Sequence, residues 1–369
     1  MLVIAEEGKP AGFPFLFQCT ESQGTMQSAI LVGILSVWIA VPPGRSPSQG
    51  RLLPDSVIVH ADTLANQPVR MVFGGDCMPG GAYQEAVDDS PGYAFEEFGL
   101  LRSADIAMVN LESPVTLRGM PVQKPFNFRV RPASVAALLP AGISIVNIAN
   151  NHIFDYGPEG LFDTFSYLDS LKIFYVGAGR NLKEAHRGVV REIRGIRIGF
   201  LGYYGGGEAP GATKTGPGVA RRSIREISED IDSLRTRDSV GYVVVNLHWG
   251  TELADSPDSD QQIFAHRVID AGADAIIGHH PHILQGIEQY HGGVIVYSLG
   301  NFLFGGNSRS SYDTGVFEIL FDGKNADYRF IPVRVRAWRL SLPSEDEARK
   351  ITEHVKQLSS EFAHSIFNN

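Results

Sequence analysis

Cysteine is scarce in this sequence. Among 369 residues there are two, Cys19 and Cys77. That excludes a disulfide framework and a thiolate zinc site. Excess positive charge is also missing: 32 Lys and Arg stand against 41 Asp and Glu, a net charge of -9. Surfaces that track nucleic-acid phosphates are usually basic, so no nucleic-acid partner is expected. A long apolar run is lacking too. The stretch AILVGILSVWIAV, Ala29–Val41, falls short of the roughly 20 residues a membrane span needs, but fits the apolar region of a signal peptide. No Lys or Arg lies between Met26 and this run, and Lys9 is the nearest upstream.

These features divide the chain. Residues 1–25 read as an uncertain leader or a misplaced start, with Met26 as the alternative start. Residues 26–66 read as a signal peptide or anchor, followed by a linker containing VPPGRSPSQG. The expectation is an extracytoplasmic protein, secreted or membrane-anchored. Residues 67–340 form the main domain, and 341–369 end the chain in a helix. A hydrophobic fraction of 43% suits a globular protein.

From Val69 onward short β-branched runs alternate with helical patterns. Strands are expected at Val69–Phe73, Ile106–Val109, Ile143–Ile148, Ile196–Leu201, Tyr242–Leu247, Ala275–Ile277 and Val294–Tyr297. Continuous apolar runs of this kind suit strands covered on both faces. Helices are expected at Pro132–Leu139, Glu159–Leu171, Ser223–Leu234 and Gln261–Ala271. The last of these is expected to bury Ile263, Phe264, Val268 and Ile269. Val316–Leu320 and Tyr328–Leu340 read as a finishing β pair, and Glu345–Phe362 as an amphipathic helix. Strands alternating with helices give an α/β layered fold.

Asp76, Glu112, Asn151, His152, His248, His280 and His282 each follow an expected strand within a few residues. Ligands of open α/β sheets bind at the carboxyl ends of strands, so these side chains converge on one rim. Imidazole, carboxylate and amide oxygen together suit Zn, Mn or Fe(II) rather than Ca. One or two such ions are expected. If His280-Pro281-His282 is extended, both imidazoles share a side, and Pro281 favours that form at His280. His279 then points away from them. Gly74 and Gly75 are expected to let the chain turn tightly before Asp76. Glu112 is a possible bridge between two metals. Asn151 is either a ligand or a turn residue. Asp155 is expected to hold His152 by a charge-assisted hydrogen bond. Glu252 either orients His248 through its ring N–H or is solvated. Lys124, Arg129 and Arg131, in QKPFNFRVRP, are either a clamp for an anion or surface charges.

The segments GGDCMPGG, ADIAMVNLESPVT, NIANNHIFDYGPEGLFDTFSYL, VVNLHWGTE, ADAIIGHHPHILQGIE and VIVYSLGNFLF resemble, in order and spacing, the CapA-type proteins of poly-γ-glutamate capsule synthesis. The likeness spans roughly Val69 to Asn307. That family looks like a branch of the calcineurin-like metallophosphoesterases, so the resemblance implies a two-sheet β sandwich flanked by helices. It also implies Asp76 as the first metal-binding Asp, Glu112 in place of the bridging Asp, and Asn151 as ligand. His152 takes the place of the general acid or transition-state stabiliser, and His248, His280 and His282 those of the remaining ligands. The sequence departs from that pattern in two ways. Metallophosphoesterases usually open with Asp-x-His, whereas Asp76 is followed by Cys77 and Met78, and Glu112 is longer than Asp.

Two functional readings follow. In one the chain is a hydrolase acting on a phosphoryl or acyl centre of an anionic small molecule or of γ-linked polyglutamate, with His152 serving the leaving group. In the other it is a non-catalytic component that binds or assembles the polymer beside membrane-bound synthase components.

Overall fold

The computed structural model describes residues 67–87 and 90–368. The expected leader, Cys19, the run Ala29–Val41 and the linker to residue 66 lie outside the described residues. Among the described residues no helix is long and apolar enough to cross a membrane.

Parallel pairing of the apolar runs builds two sheets. The first contains β1 (Val69–Met78), β2 (Ile106–Leu111), β3 (Ile145–Asn147) and β4 (Phe174–Val176), side by side and parallel. Helices α1 (Gly81–Ala86), α2 (Pro132–Ala136) and α3 (Gly157–Leu171) fall between these strands. A short pair, β5 (Ala178–Gly179) with β8 (Gly218–Val219), and the helix α4 (Leu182–Ala185) follow. The second sheet has the order β11-β12-β10-β9-β7-β6. Its members are β6 (Val189–Ile193), β7 (Ile196–Tyr204), β9 (Tyr242–His248), β10 (Ala275–His279), β11 (Ile287–Tyr290) and β12 (Gly293–Val296), with α5 (Ile224–Thr236) and α6 (Ser259–Asp270) in the crossovers. β13 (Asn301–Phe304), β14 (Tyr312–Phe321), β15 (Ala326–Arg336) and β16 (Arg339–Ser341) return to the first sheet beside β1, and α7 (Glu345–Ser359) ends the regular structure.

Both faces of each sheet are covered, which is why the strands read as unbroken apolar runs. Met71, Phe73, Ile106, Met108 and Ile145 of the first sheet pack against Phe200, Val244, Ile277 and Val296 of the second. The alternate residues Val72, Val109 and Val146 pack under Leu161, Phe165 and Leu168 of α3. Val243, Val245 and Ile276 pack under Ile227 and Ile231 of α5 and Val268 of α6. The result is a two-sheet sandwich flanked by helices. Each fully buried aliphatic or Phe side chain contributes about 1.5–3 kcal/mol, so the inter-sheet layer and the two helix-covered faces all stabilise the fold.

Toward the carboxyl ends of the strands the inter-sheet face turns polar without changing parity. Met108 is followed by Asn110, Ile145 by Asn147, Val244 by Asn246 and His248, and Ile277 by His279. Register sets them level: Asp76 beside Asn110, Asn110 beside Asn147, and His279 beside His248.

Several sequence expectations need correction. Gly74 and Gly75 lie inside β1, which runs on to Met78, and mark a register shift rather than a turn. A Cβ at Gly75 would meet the Gly300 carbonyl oxygen at 1.9 Å. The glycine therefore serves close backbone approach, and the neighbouring Asp76 N–H donates to that carbonyl at 2.9 Å. His280-Pro281-His282 is not extended: β10 stops at His279, and His280 and His282 have φ of 102° and 60°. On α6 the buried residues are Gln261, Ala265, Val268 and Ile269, while Ile263 is 57% exposed. A capping box of Asp258 and Gln261 fixes where that helix starts and hence which face turns inward. α7 ends at Ser359, short of Phe362.

Gly75→Ala is expected to lower the urea-unfolding free energy by about 1–3 kcal/mol, the usual cost of overpacking against an immobile neighbour. Gly92→Ala, where a Cβ meets nothing within 4 Å, should leave the midpoint in place. Equal midpoints for both variants would contradict the close-approach argument.

Candidate metal centre

The polar ends of β1, β2, β9 and β10 meet the loops after β3 and β10 in one buried cluster. Asp76 and Glu112 have no solvent exposure, and neither does His248. The donor atoms of Asp76, Glu112 and His282 lie within 4.8 Å of one another, as do those of Glu112, His248 and His280. The two groups share Glu112. Asn151 joins the second through its Oδ1, 2.9 Å from His248 Nε2. Asp76, Glu112, Asn151, His248, His280 and His282 are thus brought together from five separate segments of the chain.

The electrostatics of this cluster are compatible with a divalent cation. Two buried carboxylates stand together, and their ion-pair neighbours are imidazoles. Burial, and then the charge of Asp76, pushes Glu112 well above the ordinary carboxylate range. Burial also opposes the ionisation of Asp76, but the hydrogen bond and charge of His282 outweigh it and bring the pKa down to about 2. Burial, followed by the charges of neighbouring histidines, holds His248 well below its usual value and lowers His280. Those rings are therefore neutral, the form that coordinates metal.

Orphaned atoms give the sharper test. Glu112 Oε1 and His280 Nδ1 are buried without a hydrogen-bond partner. Such groups normally cost about 1–3 kcal/mol each when left unpaired. Glu112 Oε1 sits 3.7 Å from His248 Nε2 and 3.6 Å from His282 Nε2. That is too long for hydrogen bonds. It is close to the roughly 3–3.5 Å expected between donors that each reach one ion at about 2.0–2.2 Å. The residues fit one or two divalent ions.

Behind the donors lies an amide network that the sequence did not single out. Asn110 Nδ2 is 2.8 Å from Asp76 Oδ1 and 3.2 Å from Glu112 Oε2. Its Oδ1 accepts from Asn147 Nδ2 at 2.9 Å and Asn150 Nδ2 at 3.3 Å. Those donors fix the amide so that its N–H groups face the carboxylates. Asn301 Oδ1 lies 2.9 Å from His282 Nδ1. The signal that would have found Asn110 is parity, since it continues the inward-facing series Ile106, Met108. His279 is buried beside Asp76, its Nδ1 3.6 Å from Asp76 Oδ1, and burial lowers its pKa to about 4.

His152 stands at the edge of the cluster. Its Nδ1 is 2.7 Å from Asp155 Oδ2, and the buried Asp155 also accepts from the Phe128 N–H at 2.6 Å. Lys124 Nζ lies 2.5 Å from Asp155 Oδ1 and donates to the Asn151 carbonyl at 3.0 Å. Lys124 therefore ties the loop to the site and is already engaged. His152, Asn151, Lys124, Phe126 and Glu252 line a cleft of about 980 Å³.

For Arg129, Arg131 and Glu252 the sequence left two readings open, and all three are exposed. Arg129 and Arg131 do not line the cleft. Arg129 is exposed and stacks over Tyr156 at 4.8 Å, and Arg131 is the exposed residue before α2. Glu252 does not orient His248, whose ring nitrogens face Asn110 and Asn151. It is exposed and groups with His280 and His282 instead. Cys77 and Met78 pack into the apolar core and add no donor after Asp76.

Residues 70–306 match the family described as bacterial capsule synthesis protein PGA_cap. The capsule biosynthesis protein CapA of Bacillus anthracis is 32% identical over 73% of this chain and 68% of its own length. The PGA biosynthesis protein CapA of Bacillus subtilis is 34% identical over 66% of this chain and 65% of its own length. The aligned part thus spans about two thirds of each of these relatives. Among solved structures, an NAD nucleotidase of Haemophilus influenzae superposes with a TM-score of 0.42 and 12% identity, covering 80% of this chain and 57% of that one.

The purified chain is expected to carry divalent metal. Glu112→Gln should reduce binding at both donor groups, whereas His248→Ala should weaken one ion and spare the other. Elemental analysis with calorimetric titration reads both. Equal metal content in Glu112→Gln and the parent would refute the bridging role.

Proposed function

The chain belongs to the bacterial capsule synthesis protein family PGA_cap, and from that premise we propose that it takes part in poly-γ-glutamate biosynthesis as a metal-dependent hydrolase. The observation that carries this reading is the shared, unpartnered Glu112 oxygen between His248 and His282. Asp76, Glu112 and His282 would hold one ion, and Glu112, Asn151, His248 and His280 a second. The mixed oxygen and nitrogen donors favour Mn, Zn or Fe. When bound, such an ion supplies Lewis-acid polarisation and a lowered pKa for water.

The chain's own residues supply the proton handling. Asp155 accepts from His152 Nδ1–H, which leaves Nε2 as the nitrogen that exchanges a proton with substrate. Lys124 offsets the charge of Asp155, and burial lowers the His152 pKa despite that carboxylate. The ring is therefore neutral at rest, ready to take a proton and return it to a leaving group. The cleft beside it is large enough for an extended chain rather than a small ion alone.

Hydrolysis of γ-linked oligoglutamates or of phosphoesters by the metal-loaded protein tests the reading. His152→Ala is expected to lower kcat by about 10²–10⁴ with metal content retained. Absence of turnover on both substrate classes would overturn the hydrolase.

A second reading has its own support. Cys77 and Met78 give no further donor to the Asp76 ion, so that position is less completely enclosed than the other. A chain that binds polymer for membrane-bound synthase components, without turnover, would need no more. Capsule assembly sustained by His152→Ala in place of the parent would favour it. Either role agrees with an extracytoplasmic place, supported by the run Ala29–Val41. Deleting that run should retain the protein in the cytoplasm on cell fractionation, and unchanged export would refute the localisation.

A further inference from the structure

A polyanionic substrate needs cations near the metal cluster, and the cleft beside His152 does not provide them. Its lysine is engaged by Asp155, and Glu208 and Glu252 add carboxylates to its wall. The cations stand elsewhere. A separate cavity of about 380 Å³ touches the cluster at His282 and Asn301 and is lined further by Arg309, Ser311, Arg334 and His354, with Asp313 as its acid.

Arg309 is exposed, and among the described residues no acidic side chain pairs with it. Arg334 gives one guanidinium nitrogen to Asp313, while its Nε is buried without a partner. One acid therefore meets two guanidiniums, with a hydroxyl at Ser311 and an imidazole at His354. Planar guanidiniums match a carboxylate better than a point charge does. The cavity shares His282 with the metal cluster, so an anion bound there is a near neighbour of whatever the cluster holds.

We propose that the Arg309–Arg334 cavity is a carboxylate subsite, which takes a free carboxylate of a substrate whose reacting group lies at the cluster. This rests on the hydrolase or polymer-binding reading above, because it assigns one end of that substrate. The two flanks of the cluster then have different tasks. The cleft beside His152 accepts the apolar stem and backbone of a chain, and the Arg309 side reads its negative charge. A substrate without a carboxylate next to its reacting group loses the second contact.

The test is equilibrium binding of γ-linked triglutamate to the full chain, with metal content measured in parallel. Arg309→Ala is expected to weaken binding about tenfold, the scale of one charge-assisted hydrogen bond. It should leave metal content unchanged and hardly alter the affinity for the fully amidated tripeptide. Arg309→Lys should restore part of the loss. Equal affinity of the parent and Arg309→Ala for triglutamate would overturn the subsite, as would an equal loss for the amidated tripeptide. So would a parent that binds no triglutamate. Displacement of triglutamate by inorganic phosphate at comparable concentration would reassign the subsite to phosphate and overturn the carboxylate assignment. Metal content is read independently, so an empty cluster would refute the metal-centre reading while the Arg309 comparison still decides this one.

Discussion

Asp76 and Glu112 share one amide donor, Asn110 Nδ2, inside a site without solvent exposure. Bringing two carboxylates together in a dry interior costs several kcal/mol per ion unless something positive is supplied. The ion-pair neighbours of the two carboxylates are histidines, and Lys124 adds only a weaker charge at Glu112. The surroundings supply imidazoles on one side, with His282 held above its usual pKa by Asp76 despite burial, and fixed amide dipoles on the other. That environment is compatible with a divalent cation: anionic donors are held close and hydrogen-bonded from behind.

The sandwich explains how such a site can be rigid. Its inter-sheet layer is apolar over most of its length and turns polar only at the carboxyl ends of the parallel strands. The donors on β1 and β9 therefore stand on strands whose other residues are locked in the core. The close approach at Gly75 sets Asp76 against Gly300. The remaining donors come from loops, and there the backbone is unusual. His280 and His282 adopt positive φ, a conformation that costs about 1–3 kcal/mol at a non-glycine residue and persists where surrounding contacts enforce it.

Most of the sandwich was legible in the sequence because burial on both faces leaves a simple trace: unbroken β-branched runs. The strands at Ile106, Ile196 and Tyr242 start where that trace starts. β6, with one charged residue at each of two positions, and the short β4 left no such trace. The donors after each run were legible for the same reason, since a polar residue just beyond a buried strand stands out. The supporting shell was harder to read. Asn110 and Asn147 sit within strands and look like local irregularities until the parity of the inward face is followed across both sheets. In the basic loop the sequence left a clamp and surface charges as alternatives; Arg129 and Arg131 are exposed, while Lys124 pairs with Asp155.

By itself the sequence determined the layered α/β class, the order of the strands' apolar runs and which His, Asn and carboxylate side chains follow them, because those depend on local pattern and on residue type. Only the tertiary structure decided that both donor groups share Glu112, which amide braces the carboxylates, and which arginines adjoin the cluster. These are relations between segments far apart in the chain. They are fixed by strand register, by backbone φ beyond the last strand residue and by the packing of one sheet on the other, none of which is written in any single stretch of residues.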